Sequence, residues 1–165
     1  MDHKFGIFNT VEELNRAAAA QKEEKDFEAL YILAAENGMD KADVDDYLDG
    51  EADELATPLM AALGKLDLEA AELELKSQLA DWKDYIAAMC ADSEEMSRAV
   101  FRPDKELAQV LAGGLQHAFL NRVDLPGRVA KLANLSGRIS IGMTGRDELR
   151  RIAEKYYLDK ETTGK

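Results

Sequence analysis

The side chains best suited to chemistry are carboxylates concentrated in one stretch of the chain. Between Glu36 and Glu54, nine acidic residues accompany a single basic one, Lys41. Such a surface attracts and steers a basic protein partner. We predict a partner-binding site made of the six carboxylates nearest the end of the stretch; a solubilising surface is the alternative interpretation. The six are Asp45, Asp46, Asp49, Glu51, Asp53 and Glu54.

These aspartates precede a glycine, so the stretch has to be tested for calcium binding. If Gly50 is the invariant glycine of an EF-hand loop, Asp45 takes position 1. Tyr47 then falls at position 3, and Ala56 at position 12, where a bidentate Glu is required. Because two ligands are missing, we predict no metal site and no cofactor. A looser divalent site among the carboxylates is the alternative.

Residue types that commonly carry catalysis are few and scattered. Cys90 is the single cysteine, and its apolar neighbours predict a small buried side chain rather than a reactive thiol. His3 is the only other histidine in the sequence, so we expect His117 to be a boundary or surface residue. The glycines of 136–145 fit neither a phosphate loop nor a dinucleotide fingerprint. We therefore predict that the chain is not an enzyme.

Basic residues gather in the last third of the chain. Residues 1–100 carry a net charge of −16, whereas residues 101–165 carry +4. We predict a secondary basic edge made of Arg138, Arg146, Arg150 and Arg151. Ten residues separate the helices expected near Pro126 and Arg146, too many for a helix-turn-helix. Since the net charge of −12 also repels phosphates, we do not expect direct nucleic-acid binding.

Length and composition favour one soluble domain. The chain has 165 residues, of which 46% are hydrophobic and 33% charged, enough for a real core. A polar segment follows Met1, so we expect no signal peptide and a cytoplasmic location. The longest useful charge-free run, Leu107 to Asn121, is too short and too polar for a membrane span, so we expect no membrane partner. The sequence does not indicate an oligomeric state.

Apolar periodicity predicts a mainly α fold, a single-domain bundle of about seven helices. At most one short β-strand or hairpin is expected near residues 138–143. We divide the domain into an acidic helical half, 1–100, a neutral-to-basic helical half, 101–158, and a flexible tail, 159–165.

The most prominent helix is predicted from Leu68 to Met89, where an apolar stripe continues for about six turns and includes Trp82. Asp67 is its expected N-cap. Leu115 and Phe119 are expected on the apolar face of a later helix, and Leu132 on that of the next.

Local signals also predict where other helices begin. Thr10, Asp40 and Thr57 are expected N-caps, with Pro58 in the first turn, and Thr144 is expected to cap the last helix. Two glycine features are expected to be structural. Gly64 is predicted to mark a bend, and the pair 113–114 is predicted to allow close packing of another helix.

Two segments of the C-terminal third resemble a known family. They are Arg-Pro-Asp-Lys-Glu-Leu-Ala-Gln-Val-Leu-Ala, residues 102–112, and Ile-Gly-Met-Thr-Gly-Arg-Asp-Glu-Leu-Arg-Arg-Ile-Ala-Glu-Lys-Tyr-Tyr-Leu, residues 141–158. This pattern resembles the PcfK-like family of conjugative mobile elements, which includes inhibitors of type II CRISPR nucleases. The chain departs from the family at 113–121, where a neutral stretch replaces a lysine-rich helix.

The resemblance implies a function for the acidic half. CRISPR effectors hold nucleic acid in basic channels, for which a carboxylate-rich surface could compete. The resulting hypothesis is a non-enzymatic anti-CRISPR protein, encoded on a mobile element, that inhibits a CRISPR effector nuclease by binding it. The alternative is a helical adaptor or regulatory protein of a conjugative element that binds through an apolar helix face.

Overall fold

A computed structural model describes residues 4–160, which form nine helices and one small antiparallel hairpin. The helices are α1 (Val11–Glu24), α2 (Phe27–Glu36), α3 (Lys41–Asp49), α4 (Pro58–Glu72), α5 (Ser77–Asp92), α6 (Glu94–Phe101), α7 (Leu107–Leu120), α8 (Gly127–Leu132) and α9 (Arg146–Tyr157). The hairpin pairs β1 (Val123–Asp124) with β2 (Ser140–Ile141), in a register that places Val123 opposite Ile141. The predicted helical bundle with one short hairpin is confirmed, and the described residues hold nine helices where about seven were expected.

The predicted helix from Leu68 to Met89 is wrong, because the chain breaks between α4 and α5. Glu74 and Ser77 adopt positive φ angles of 51° and 52°, which end one helix and separate it from the next. The apolar period continues across the break in the sequence, although Ala71 of α4 is exposed while Trp82, Ile86 and Met89 of α5 are buried in one core cluster. Neither glycine nor proline occurs there to reveal the break in the sequence. Asp67, the predicted N-cap, lies inside α4 and pairs with Lys83 of α5 at 2.8 Å.

Helix starts follow the predicted caps at three of five positions, with Asp67 the first exception. Thr10 Oγ1 and Thr57 Oγ1 accept hydrogen bonds from the amides three residues on, both at 3.2 Å. Asp40 and Asp43 form a reciprocal capping box at the start of α3. The prediction for Thr144 is wrong. Gly145 is the N-cap of α9, and the Thr144 hydroxyl instead donates to the carbonyl of Gly114 at 2.7 Å.

The core consists of two apolar clusters joined by α4 and α6. The N-terminal cluster combines α1, α2 and α3 with Ala61 and Phe101; the C-terminal cluster combines α5, α7 and α9 with Leu66 and Val100. Adjacent residues of α4 face different clusters, and the same is true at the end of α6. The predicted halves divide at residue 100, inside α6. Their boundary remains a prediction.

The end of the described chain is held by ion pairs. Asp159 accepts from Arg102 at 2.8 Å and also pairs with Lys105. Of the segment 159–165 predicted to be flexible, residues 161–165 lie outside the described part of the chain.

Two helix contacts depend on the absence of a side chain. Gly64 lies within α4, and a Cβ there would lie 2.3 Å from the carbonyl oxygen of Asn37. The predicted bend at Gly64 remains a prediction. The predicted close packing at 113–114 is confirmed, because a Cβ at Gly114 would lie 2.5 Å from the Trp82 ring. Glycine therefore lets α4 approach the end of α2 and lets α7 approach α5.

We expect Gly64→Ala to destabilise the protein by about 1–3 kcal/mol, since the new methyl group meets a backbone carbonyl that cannot rotate away. Helix propensity alone predicts the opposite sign, a gain of about 1 kcal/mol for alanine. Urea denaturation followed by far-UV circular dichroism measures the difference. Gly127→Ala is the matched control, because a Cβ there meets nothing within 4 Å. Equal stability of the two variants would contradict the proposed contact.

Candidate functional site

The predicted acidic site begins on one side of α3. Val44 and Tyr47 are buried on the side of the helix that faces the N-terminal cluster. Asp45, Asp46 and Asp49 lie within about 100° of one another around the helix axis, away from those two residues. Glu51, Asp53 and Glu54 follow as exposed residues in the connection to α4. The structure therefore places three of the six carboxylates on one helix side and the others directly after it.

Asp45 is the member of this set that the fold uses. The hydroxyl of Tyr31 donates to one of its oxygens, and Lys41 Nζ lies 3.1 Å from the other. These interactions, with the Tyr31 hydrogen bond first, lower the pKa of the Asp45 carboxyl below its usual value. Asp45 thus holds α2 and α3 together and is less available to a partner.

The other five carboxylates are exposed and have no cation partner among residues 4–160. Glu54 accepts only a neutral hydrogen bond, from Asn15 Nδ2 at 3.2 Å. The nearby Lys22 is occupied elsewhere, since its Nζ donates to the carbonyl of Tyr47 at 2.6 Å and lies 4.2 Å from the Tyr47 ring centroid. The negative charge of residues 46–54 is therefore not neutralised within the described chain.

The predicted basic edge is divided between two elements. Arg146 and Arg150 lie one turn apart on α9, with guanidinium carbons 5.8 and 6.0 Å from the ring centroid of Tyr85. Arg151 pairs with Glu148 at 2.8 Å on the same helix. Arg138 lies beside the hairpin and pairs with Asp124 at 2.6 Å. Two of the four arginines thus lie near the ring of Tyr85 of α5, a residue that the sequence pattern did not indicate.

The side chains of Cys90 and His117, residue types that commonly carry catalysis, are surrounded by groups that contribute to the fold. Cys90 is buried in the C-terminal cluster, and burial raises the pKa of its thiol to about 11. His117 is half-buried, as expected for a boundary residue, and its Nδ1 lies 3.2 Å from the hydroxyl of Thr144. That hydroxyl donates its proton to the Gly114 carbonyl. The imidazole therefore does not accept this proton and does not activate the hydroxyl as a nucleophile.

Residues 4–160 offer neither a clustered metal site nor a membrane-spanning helix. They contain no group of three or more His, Cys, Asp or Glu side chains arranged to hold a metal ion. None of their helices has both the length and the apolar character that crossing a bilayer requires.

The surface that sequence reasoning missed is the arm, defined here as residues 121–143 between α7 and α9. Ala130 is its single buried residue, and no residue of the arm belongs to either core cluster. Nine of the twelve large apolar side chains exposed in the described chain lie in or just before the arm, in 115–143. Leu115, Phe119 and Leu132 were expected to face inward, and all three are exposed, Leu132 at 77%. Exposed apolar surface on this scale is typical of a docking site.

A sequence signal for the arm does exist. Residues 121–143 contain four basic residues and one acidic residue, whereas the remainder of the chain has a net charge of −15. Periodicity alone assigned the apolar residues to the core, because it shows which side chains share a face and not whether another element covers that face.

A groove of about 520 Å³ lies beside α4. Its apolar walls come from the N-terminal segment, α4 and the end of α6, and include Phe8, Leu68 and Phe101. Three carboxylates line it, those of Glu36, Glu69 and Glu72. Burial raises the pKa of the Glu69 carboxyl, although nearby Lys65 and a hydrogen bond from the Leu107 amide favour the ionised form. The groove is thus an apolar surface with an acidic rim.

The buried thiol gives a direct test of the core that surrounds these surfaces. With its pKa raised above that of an unfolded cysteine, Cys90 keeps its proton in the folded state at pH 8 and lies beneath neighbouring side chains. We expect a disulfide reagent such as DTNB to label the native protein at least about 100-fold more slowly than the urea-unfolded chain. Rapid labelling of the native protein would contradict this description of Cys90.

Comparison with known proteins adds no identity to these observations. No family model, curated protein or solved structure matches the chain. The resemblance to the PcfK-like family therefore depends on the residues quoted for it, 102–112 and 141–158, and function has to be argued from the surfaces themselves.

Proposed function

We propose that the chain is a non-enzymatic protein-binding inhibitor whose acidic surface, residues 45–54, binds a basic protein surface. The proposed partner is a CRISPR effector nuclease, and the proposed source is a mobile element. The observation that carries this proposal is the set of five exposed carboxylates in 46–54, which have no cation partner among residues 4–160.

Electrostatics explains why such a surface favours a binding role. Like charges held close together repel and raise the free energy of the folded state. The fold relieves only Asp45, through Tyr31 and Lys41, and leaves the others to solvent. A basic partner surface removes that repulsion on binding and is attracted over a Debye length before contact. Basic nucleic-acid channels of CRISPR effectors have the complementary sign.

The surroundings of Cys90 and His117 support the non-enzymatic part of the proposal. Burial keeps the thiol of Cys90 protonated at neutral pH, and a thiol in that state is a poor nucleophile. His117 contacts a threonine whose hydroxyl is already donated to the backbone. Both side chains contribute to packing between α5, α6, α7 and α9.

A second candidate function is a helical adaptor or regulatory protein of a conjugative element, docking through apolar surface. The observation that favours it is the arm, whose apolar side chains are exposed and outside both core clusters. Salt separates the two candidates. Binding through carboxylates weakens steeply as ionic strength rises, whereas binding through apolar surface does not.

We expect neutralisation of the five exposed carboxylates to weaken binding to a purified, guide-loaded CRISPR effector nuclease by about tenfold or more, and to reduce inhibition of DNA cleavage equally. The variant replaces Asp46, Asp49, Glu51, Asp53 and Glu54 by the corresponding amides. Biolayer interferometry and a cleavage assay measure the two effects.

The control removes the same number of charges from other exposed positions. It replaces Glu23, Glu28, Glu74, Asp81 and Asp92 by amides, all exposed and without an ion pair among residues 4–160. Binding by this control should stay within about twofold of wild type, since its charges lie outside the proposed contact. Undiminished inhibition by the first variant, or equal losses in both, would remove the proposed mechanism.

A further inference from the structure

The arm combines apolar side chains with unpaired positive charge. Leu132, the most exposed of them at 77%, lies on α8 beside Arg128 and Lys131. Neither of these two cations pairs with a carboxylate in residues 4–160. Arg122 lies 4.2 Å from the ring centroid of exposed Phe119 and adds a further positive charge. The arm is therefore an apolar surface with a basic rim.

The groove beside α4 has the complementary character. Its apolar walls are bordered by Glu36, Glu69 and Glu72, and among residues 4–160 Lys65 is the one basic residue that lines it. The Lys65 ammonium donates to the carbonyls of Val100, Arg102 and Lys105 and lies 4.0 Å from Glu69, with which it pairs. The negative rim open to an incoming group is therefore supplied by Glu36 and Glu72. An apolar ligand with positive charges at its edge fits this groove.

The arm of a chain does not occupy the groove of the same chain. No arm residue lines the groove. The Leu107 amide at the start of α7 donates to Glu69 at the groove, and the arm begins at the other end of that helix. Fourteen residues at 1.5 Å each separate the two ends of α7 by about 21 Å. The returning end of the arm is held there too, since Gly142 packs against the carbonyl of Ala118.

We propose that a second copy of this chain is the occupant: the arm of one copy docks into the α4 groove of the other. The arm and the groove are complementary in sign and both apolar, and each is open in the single chain. Because each copy carries both surfaces, the arm of each copy can dock into the groove of the other. The result is a closed dimer with two-fold symmetry. Local attraction between the two rims acts within a Debye length of about 8 Å, whereas the repulsion between more distant charges of the two copies is largely screened.

Charge-reversed variants test this dimer. The arm variant is R128E/K131E, and the groove variant is A71K/E72K, which changes two exposed residues of the groove. Sedimentation velocity should give the wild type a mass of about twice 18.3 kDa, and each variant alone should dissociate at least about tenfold more readily. An equimolar mixture should recover the dimer, because each reversed arm then meets a reversed groove.

The control R16E/K25E makes the same change in charge as the arm variant, at exposed positions away from both surfaces. It should remain dimeric. Far-UV circular dichroism and thermal melting confirm that each variant is folded, and recovery in the mixture excludes misfolding as the cause of dissociation. A wild type that is monomeric at every accessible concentration would overturn the proposal, as would a dimer unaffected by either variant. Arm-dependent binding of the monomer to phosphatidylserine vesicles would replace the second copy by a membrane surface.

Discussion

A half-buried lysine connects the parts of this fold. Lys65 reaches from α4 into the connection between α6 and α7, where its ammonium donates to the carbonyls of Val100, Arg102 and Lys105. Burial lowers the pKa of Lys65, and three carbonyl acceptors compensate for the water that the cation has lost. These carbonyls lie at and beyond the end of α6, where helix geometry leaves carbonyls without intrahelical partners. The Arg102 carbonyl also accepts from the Lys105 amide at 3.2 Å. The same side chain thus satisfies one helix end and anchors another helix to it.

A second lysine extends the connection to the end of the chain. Lys105, itself buried, donates to the carbonyl of Tyr156 at 2.7 Å and pairs with Asp159. The connection between α6 and α7 is therefore fixed to α4 on one side and to the end of α9 on the other. Together with the glycine contacts of α4 and α7, these bonds explain how short helices hold the two core clusters together without a disulfide.

The surfaces proposed for interaction are those whose charged or apolar groups have no partner within this framework. Asp45 shows the contrast: it is bound by Tyr31 and Lys41, whereas the five carboxylates of 46–54 have no cation partner among residues 4–160. The arm shows the same contrast for apolar groups, since one of its residues is buried while α5, α7 and α9 cover one another. Uncompensated charge and uncovered apolar area both have a cost in the isolated chain, and a bound protein removes that cost.

The sequence by itself determined the features that depend on neighbours along the chain. Caps at Thr10, Asp40 and Thr57 act within three residues, so their chemistry is visible in the sequence, and the uneven distribution of charge needs no structure at all. Only the tertiary structure decided which apolar faces are covered. In the structure, the predicted apolar stripe is interrupted between α4 and α5, the Thr144 hydroxyl donates to Gly114, and Leu132 is exposed to solvent. The physical reason is that burial depends on partners distant in sequence: Lys65 meets carbonyls 35 to 40 residues away, and periodicity carries no information about them.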